Sequence, residues 1–462
     1  MLLRTIYDSR LAHASYLIGC QETATAIVVD PSRNVTPYVQ LAQEEGLDIV
    51  AVTETHIHAD FVSGARELSH ITGATIYLSS AGGKDWQYQF PETDAIALLR
   101  DGDTIMIGNV KLQAMHTPGH TPEHLCFLLT DTLATSVPMG ILSGDCLFVG
   151  DVGRPDLLEK VVNVTESSLK GARQQFANLQ RLRAMPDYIQ VLPAHGAGSA
   201  CGKALGAVPS STLGYEKLVN PAFQFTSESA FIAWLLDGQP EPPRYFAQMK
   251  KVNQAGANLL KDLPQPQHIQ HAADAEIVPP DALFLDTRPA AHYARYHLPH
   301  TVNIPISNRN FATYVGWYVR YDQPVFFVAY PNDVLDVISQ LFEIGVEDIR
   351  GYFHGQVART SPLKSQSLTA REVYQQGLPI IDVRNANEIA EEHIPGSFAI
   401  HMGDIPQALH KLPKSEPFAI QCATGVRSAI VTSLLESLGI PNAVTMEGGI
   451  HAWKQEGLPT EE

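Results

Sequence analysis

Cysteine is scarce. The 462 residues hold five (Cys20, Cys126, Cys146, Cys201 and Cys422), with no Cys-x-x-Cys pair. An odd number so spaced excludes a disulfide framework and a thiolate zinc site, and free thiols fit a reducing compartment. Long apolar runs are also missing. No stretch approaches the roughly 18 to 20 residues a membrane helix needs. The N-terminus, MLLRTIYDSRLAHASYLIG, lacks the charged-then-apolar layout of a secretory signal. A cytoplasmic protein is expected. Basic residues are in deficit, 32 against 49 acidic, for a net charge of -17 with His neutral. Such a surface repels nucleic acid and anionic lipid, so neither is an expected partner.

What is present is ordinary for a globular chain: 45% hydrophobic and 18% charged residues. At roughly 150 residues per domain the length suggests about three domains. Histidine stands out, with 18 copies. In the first part, strand candidates run through ATAIVVD, DIVAVTETH, ATIYLS, TIMIG, VKLQAMHT, LCFLLT, GILSGDCLFV and YIQVLPAH. Helical patterns lie between some of them, as in SGARELSHITG and VTESSLKGARQQFANLQRL. Strands in both hairpin and strand-helix order predict a sheet sandwich flanked by helices. GQPEPPRYF is a proline-rich stop near residue 240. A helix is expected through NQAGANLLKDL, then a linker over PQPQHIQHAADAEIVPP.

Beyond about residue 275 the chain repeats itself. ALFLDTRPAAHYARYHLPHTVNIP resembles LPIIDVRNANEIAEEHIPGSFAIH, and PVFFVAYPNDVLDVISQLFEIG parallels PFAIQCATGVRSAIVTSLLESLG. Each copy reads as strand, loop and helix twice over, so two α/β domains are predicted, divided by VARTSPLKSQSLTA.

Two constellations carry chemistry. The first is a series of strand-end loops: His56-Ile57-His58-Ala59-Asp60-Phe61, His116-Thr117-Pro118-Gly119-His120, Ser143-Gly144-Asp145 and Pro193-Ala194-His195-Gly196. Neutral imidazoles and a carboxylate suit a first-row metal. The second follows the buried strand Phe418–Gln421. Cys422 opens a loop through Gly425 and Arg427 into a helix. Converging backbone N–H groups and the helix dipole favour thiolate there. Gly425 lets the backbone curl around the sulfur, and Arg427 adds positive charge for an anionic sulfur substrate. Cys20, Cys126 and Cys146 sit in apolar strand patterns and read as core.

The order of the first set resembles the metallo-β-lactamase superfamily, over roughly residues 1 to 240. The usual first motif there is His-x-His-x-Asp-His. Here Phe61 replaces the last His, and a phenyl ring cannot ligate, so one metal is expected rather than two. The persulfide dioxygenases are a one-metal branch. That resemblance implies one Fe(II) per chain, held by His56, His120 and Asp145 as a facial triad with open positions for O2 and substrate. His116 competes with His120, which is preferred because it follows the Pro-Gly turn of the family motif. His58, Asp60 and His195 then orient ligands or substrate. Gly150 to Asp156 resembles the Gly-Arg-x-Asp segment of the same branch. Arg154 is expected to bind a carboxylate or phosphate of a thiol carrier, the alternative being an ion pair with Asp156. Cys201, in the loop after His195, is expected to accept or relay sulfane sulfur, unless it is an inert small residue.

The second set resembles a rhodanese, or sulfurtransferase, domain over about residues 365 to 462. Asp382-Val383-Arg384, His393-Ile394-Pro395-Gly396, Glu447-Gly448-Gly449 and Trp453 support it. The Cys-x4-Arg spacing differs from the Cys-x5-Arg of the related phosphatases. Asp382 and Arg384 are read as structural. The earlier copy keeps Asp286-Thr287-Arg288 and His297-Leu298-Pro299 but has no nucleophile, so it resembles an inactive rhodanese.

The whole chain therefore resembles persulfide dioxygenase–sulfurtransferase fusions. The implied fold is α/β multidomain: a metallo-β-lactamase αββα sandwich with a helical extension over residues 1–262, an inactive rhodanese-like domain over 275–362 and an active one over 363–462. The implied partners are a small thiol persulfide, O2, sulfite and thiosulfate, and a homo-oligomer is expected. The implied reaction makes sulfite and thiol from persulfide and O2, and Cys422 passes sulfane sulfur to sulfite to form thiosulfate. Two alternatives are a two-metal thioester hydrolase like glyoxalase II, against which Phe61 argues, and a non-catalytic sulfur carrier or sensor, against which the complete triad argues.

Overall fold

The computed structural model describes residues 1–157 and 167–462. They divide into two compact units, Met1–Leu263 with Phe342–Gly345, and Pro264–Leu341 with Val346–Glu462. Among the described residues no helix is long and apolar enough to cross a membrane.

The first unit is built on two sheets. One orders its strands in sequence: β1 (Leu2–Asp8), β2 (His13–Cys20), β3 (Thr25–Val29), β4 (Asp48–Thr53), β5 (Thr75–Ser79) and β6 (Ile96–Leu99). The other contains β7 (Thr104–Ile107), β8 (Val110–His116), β9 (Leu125–Asp131), β10 (Gly140–Gly144), β11 (Gln190–Pro193) and β12 (Ser211–Thr212), also in sequence order. Successive side chains of a strand point to opposite faces, so each strand feeds two cores. Tyr16, Ile18, Ile27 and Val29 meet Leu112, Phe127, Leu129, Leu142 and Leu192 between the sheets. Their neighbours Leu17 and Val28 pack outward with Tyr38 and Leu68 of helices Thr36–Glu44 and Ala65–Thr72. On the far side, Ile141 and Val191 pack against Leu179, Leu182, Phe231 and Leu235 of helices Ser167–Arg183 and Glu228–Leu236. The result is the expected αββα sandwich. The first three residues of the predicted helix VTESSLKGARQQFANLQRL lie outside the described residues.

The second unit holds two sheets of one topology. The first has the order β13-β17-β16-β14-β15, from β13 (Gln267–Ile269), β14 (Leu283–Asp286), β15 (Val302–Asn303), β16 (Val325–Ala329) and β17 (Ile349–His354). The other has the order β18-β22-β21-β19-β20, from β18 (Ser367–Leu368), β19 (Ile380–Asp382), β20 (Phe398–Ala399), β21 (Phe418–Gln421) and β22 (Ala443–Met446). Every pairing in both is parallel. In each copy the Asp-x-Arg motif closes on itself. The Arg288 guanidinium donates to both Asp286 oxygens and to the Tyr296 carbonyl, and Arg384 does the same with Asp382 and the Glu392 carbonyl.

Three expectations are corrected. The helix placed over NQAGANLLKDL lies earlier, at Phe246–Ala255, and stops where Gly256 takes φ 82°. The stretch PQPQHIQHAADAEIVPP is not a free linker, because β13 forms within it and pairs with β17. Strand β10 ends at Gly144, whose φ of 52° turns the chain before Asp145.

Gly449 has φ 57°, and a Cβ there would run into the backbone carbonyls of Cys422 and Ala423. Gly449→Ala is therefore expected to cost about 3 kcal/mol. Chemical denaturation monitoring the second unit measures this, and unchanged stability would contradict the packing described.

Candidate metal centre and cysteine cradle

In the first unit the two sheets deliver chain ends to one edge. Strands β3 and β4 are parallel, as are β8, β10 and β11 through the intervening antiparallel β9. Their C-terminal ends lead into Asp30, the Thr55–His58 loop, the turn bearing His120, Asp145 and His195. The Ala14 N–H donates to the Ala194 carbonyl at 2.7 Å, and the Tyr16 hydroxyl donates to the Pro193 carbonyl at 2.7 Å. His195 Nδ1–H donates to the Ala12 carbonyl at 3.1 Å. These bonds tie one sheet to the other beside the site.

His56, His120 and Asp145 converge there, all buried. Nε2 of His120 lies 3.3 Å from Asp145 Oδ2, and Nε2 of His56 lies 4.0 Å from it. The tautomers follow from the partners. His120 Nδ1 faces the Arg154 carbonyl at 2.9 Å and must donate. Thr55 Oγ1 gives its proton to Asp30 Oδ2 at 3.0 Å, so it accepts from His56 Nδ1 at 2.9 Å. Both Nε2 atoms are left as lone-pair donors. Neither Asp145 oxygen has a hydrogen-bond partner. Burial and the neighbouring imidazoles hold His56 well below its ordinary range and His120 at about 3, so both are neutral. Burial, reinforced by Asp60, pushes the Asp145 carboxyl well up. Two neutral imidazoles and an unpaired buried carboxylate aimed at one point form a donor set that fits a divalent cation, which would supply the missing compensation.

The expected neighbours surround this point. His58 Nε2 bonds Asp30 Oδ1 at 3.1 Å. Burial opposes a charge on His58, but Asp30 prevails and raises it to about 9. Phe61 is buried against His13 and His58, with ring centroids 4.2 and 4.4 Å away, and fills its position with carbon. His195 Nε2 lies 3.4 Å from Asp60 Oδ2 and 3.6 Å from Asp145 Oδ1. Cys201 joins Asp60 and His195 in a second convergence of donor atoms. Burial, then the Asp60 and Asp145 carboxyls, push its thiol well up, which makes it a neutral thiol rather than a thiolate. His116 is turned away, its Nε2 on the Pro122 carbonyl at 2.9 Å.

Arg154 is a correction. Its side chain is completely buried. Nε and Nη2 donate to the two Asp156 oxygens at 2.7 and 2.6 Å, and Nη1 donates to the Ala200 and Pro240 carbonyls. The ion pair that was the alternative reading is what forms, and the guanidinium does not face a substrate anion. What Arg154 gives the site is its backbone carbonyl, which orients His120.

Sequence reading missed several supports. His124 Nε2 accepts from the Asp145 N–H at 3.0 Å, and its ring stacks on His56 at 5.2 Å. Its only signal was its place beside the His120 turn. Asp30 accepts from Thr55 N–H at 2.6 Å as well as from Thr55 Oγ1 and His58. Asn253, on the helix Phe246–Ala255, donates to the His58 and Phe61 carbonyls at 2.8 and 2.7 Å and accepts from Ser63 N–H at 2.8 Å. Nothing local in the sequence marks Asn253, because its partners lie far back in the chain.

In the second unit, Cys422 leaves β21 into a loop that opens the helix Val426–Ser437. The thiol is buried, and Gly425, at φ 93°, donates its N–H to Sγ at 3.1 Å. Arg427 is doubly bonded to Glu388: Nη1 to Oε2 and Nη2 to Oε1, both at 2.7 Å. The expectation that Arg427 adds positive charge for an anionic sulfur substrate is qualified by this pairing. A cleft of about 470 Å³ lies beside the loop, lined by Thr424, Gly425 and Glu447 and by Asn303, Pro305 and Asn308 of the first copy.

Comparison with known proteins follows this division. Residues 9–195 match the metallo-beta-lactamase superfamily, and residues 366–456 match the rhodanese-like domain. The crystal structure of a metallo-beta-lactamase from Staphylococcus aureus is 43% identical and covers 77% of this chain and 99% of its own, with a TM-score of 0.69. The mitochondrial persulfide dioxygenase ETHE1 of Bos taurus is 25% identical over 60% of this chain and 88% of its own length. A probable polyketide biosynthesis zinc-dependent hydrolase of Bacillus velezensis is 29% identical over 46% of this chain and 84% of its own length.

Asp30→Ala would leave Thr55 N–H, Thr55 Oγ1 and a charged His58 without their acceptor. The expected cost is about 3 kcal/mol of stability and at least roughly tenfold in metal affinity. Chelator competition measures the second. Wild-type affinity in that variant would show that Asp30 does not hold the metal loop.

Proposed function

From its membership of the metallo-β-lactamase superfamily and its C-terminal rhodanese-like domain, we propose that this chain is a sulfur-metabolism enzyme that oxidises thiol persulfides and transfers sulfane sulfur. The observation that carries the reading is the pairing of a His56–His120–Asp145 centre, with Phe61 in place of a further ligand, and a Cys422 cradle in the same chain. The similarity to persulfide dioxygenases supports it.

His56, His120 and Asp145 would hold one ferrous ion, which supplies the redox chemistry that O2 needs to react with a persulfide sulfur. The net change is RSSH + O2 + H2O to RSH + sulfite + 2 H+. The protein's part is to bury the donors, fix both Nδ1 protons on protein acceptors and keep bulk water out. His58, held by Asp30, sits beside the ligands and orients them or the substrate. In the second unit the Cys422 thiolate attacks the outer sulfur of RSSH. The S–S bond breaks, RS⁻ leaves, and the Cys422 persulfide remains. Sulfite then attacks that outer sulfur, forming thiosulfate and returning the thiolate and a proton. Gly425 N–H stabilises the thiolate on both sides of the cycle.

A second reading, two-metal hydrolysis, has one supporting observation: the Asp60, His195 and Cys201 donors also converge. It requires a second cation there and water as nucleophile.

Asp145→Ala is expected to abolish both iron retention and O2 uptake. Cys422→Ser keeps the size but loses the soft nucleophile. It should retain iron and O2 uptake with persulfide while product shifts from thiosulfate toward sulfite. Thiol-trapping chromatography reads the products. Undiminished thiosulfate from Cys422→Ser, corrected for the uncatalysed reaction, would refute this division of chemistry.

A further inference from the structure

The two copies in the second unit act as an internal control, because backbone pairing aligns them residue by residue. Asp286 pairs with Val328 where Asp382 pairs with Gln421. Cys422 therefore corresponds to Ala329, Arg427 to Val334 and Glu388 to His292. The residues that close the fold are kept in both copies, with Asp286–Arg288 and Asp382–Arg384 bonded alike. The nucleophile, the guanidinium and the carboxylate are lost together. His292 instead bonds the Tyr330 hydroxyl at 2.7 Å. This pattern groups Glu388 with the chemistry rather than with the scaffold.

Its geometry says what it does. Glu388 is anchored from behind, because Oε2 accepts from the Asn385 N–H at 3.1 Å in the capping box of the helix Ala386–Glu391. From that anchor both its oxygens take the fork of Arg427. Burial works against the charge on either partner, yet the contact holds the Glu388 carboxyl below and the Arg427 guanidinium above its ordinary range. The ion pair thus persists as charges, with little net charge presented to the Cys422 sulfur. Glu447, on the cleft beside the loop, adds a further acidic group. An entering dianion finds the guanidinium already occupied. A neutral or singly charged persulfide needs no free cation.

We propose that Glu388 is a specificity-determining positioning residue: by taking up Arg427 it makes the Cys422 cradle accept sulfur from thiol persulfides in preference to thiosulfate. This rests on the reading of Cys422 as the sulfurtransfer nucleophile. With thiosulfate as donor, the thiolate attacks the outer sulfur, the S–S bond breaks and sulfite leaves with the electron pair. Weak attraction for thiosulfate disfavours that direction at the binding step and speeds release of thiosulfate as product.

The test is steady-state sulfur transfer to cyanide by the full-length chain, with thiosulfate and glutathione persulfide as alternative donors. Glu388→Gln keeps the shape and the capping hydrogen bond but frees the charge of Arg427. It should lower KM for thiosulfate roughly fivefold and change KM for the persulfide less than about twofold. Glu388→Asp keeps the charge at shorter reach, so it should retain the wild-type donor preference with a lower kcat. An unchanged ratio of the two KM values in Glu388→Gln, or an equal fall in kcat on both donors, would overturn the proposal. Turnover persisting in Cys422→Ser would instead overturn the reading beneath it.

Discussion

A carboxylate with both oxygens buried and unpaired is costly in any protein interior. Asp145 is such a group, and much of the first unit is arranged around its position. Gly144 turns the chain to present it, His124 accepts its backbone N–H, and the His56 and His120 rings face it with their lone pairs. Each of those rings is fixed by its far nitrogen, through Thr55 and the Arg154 carbonyl. The cost is borne in advance by the sandwich, whose cores hold the strand ends together. A cation then finds its donors already oriented, with little reorganisation left to do.

The same constraint explains the helical extension. The loop carrying His58 to Phe61 has no sheet partner of its own. Asn253 and the Tyr245 hydroxyl satisfy its carbonyls from the helix Phe246–Ala255 and its N-cap, a helix that starts seven residues before the predicted NQAGANLLKDL. The strands that carry the ligands were legible as short apolar, β-branched runs, alternating in Val110–His116 and buried throughout in Gly140–Gly144. Periodicity could not locate Asn253, Asp30 or His13, whose partners are distant in sequence and whose flanking residues show no motif. Strand β2 has no polar alternation to mark it. His13–Cys20 is buried along its whole length, and that pattern does not alternate. Arg154 shows the converse failure. A motif marked it correctly as important, but only the structure shows that its guanidinium serves the loop and its carbonyl serves His120.

The second unit separates scaffold from chemistry within one chain. Both copies keep the parallel sheet and the Asp-x-Arg closure, which the repeat made plain in the sequence. Only one keeps Cys422, Arg427 and Glu388. The cysteine and arginine were legible from their spacing. Glu388 was not, because its meaning lies in a side-chain contact across the loop rather than in a sequence interval.

The central claim is that one buried metal centre in the first unit uses O2 on a persulfide. The most direct measurement is on protein purified without oxygen: metal content per chain, then O2 uptake and sulfite release on adding a defined thiol persulfide. One iron per chain and one O2 consumed per sulfur oxidised are expected. A preparation inert toward O2 but active as a thioester hydrolase with two zinc ions per chain would contradict it.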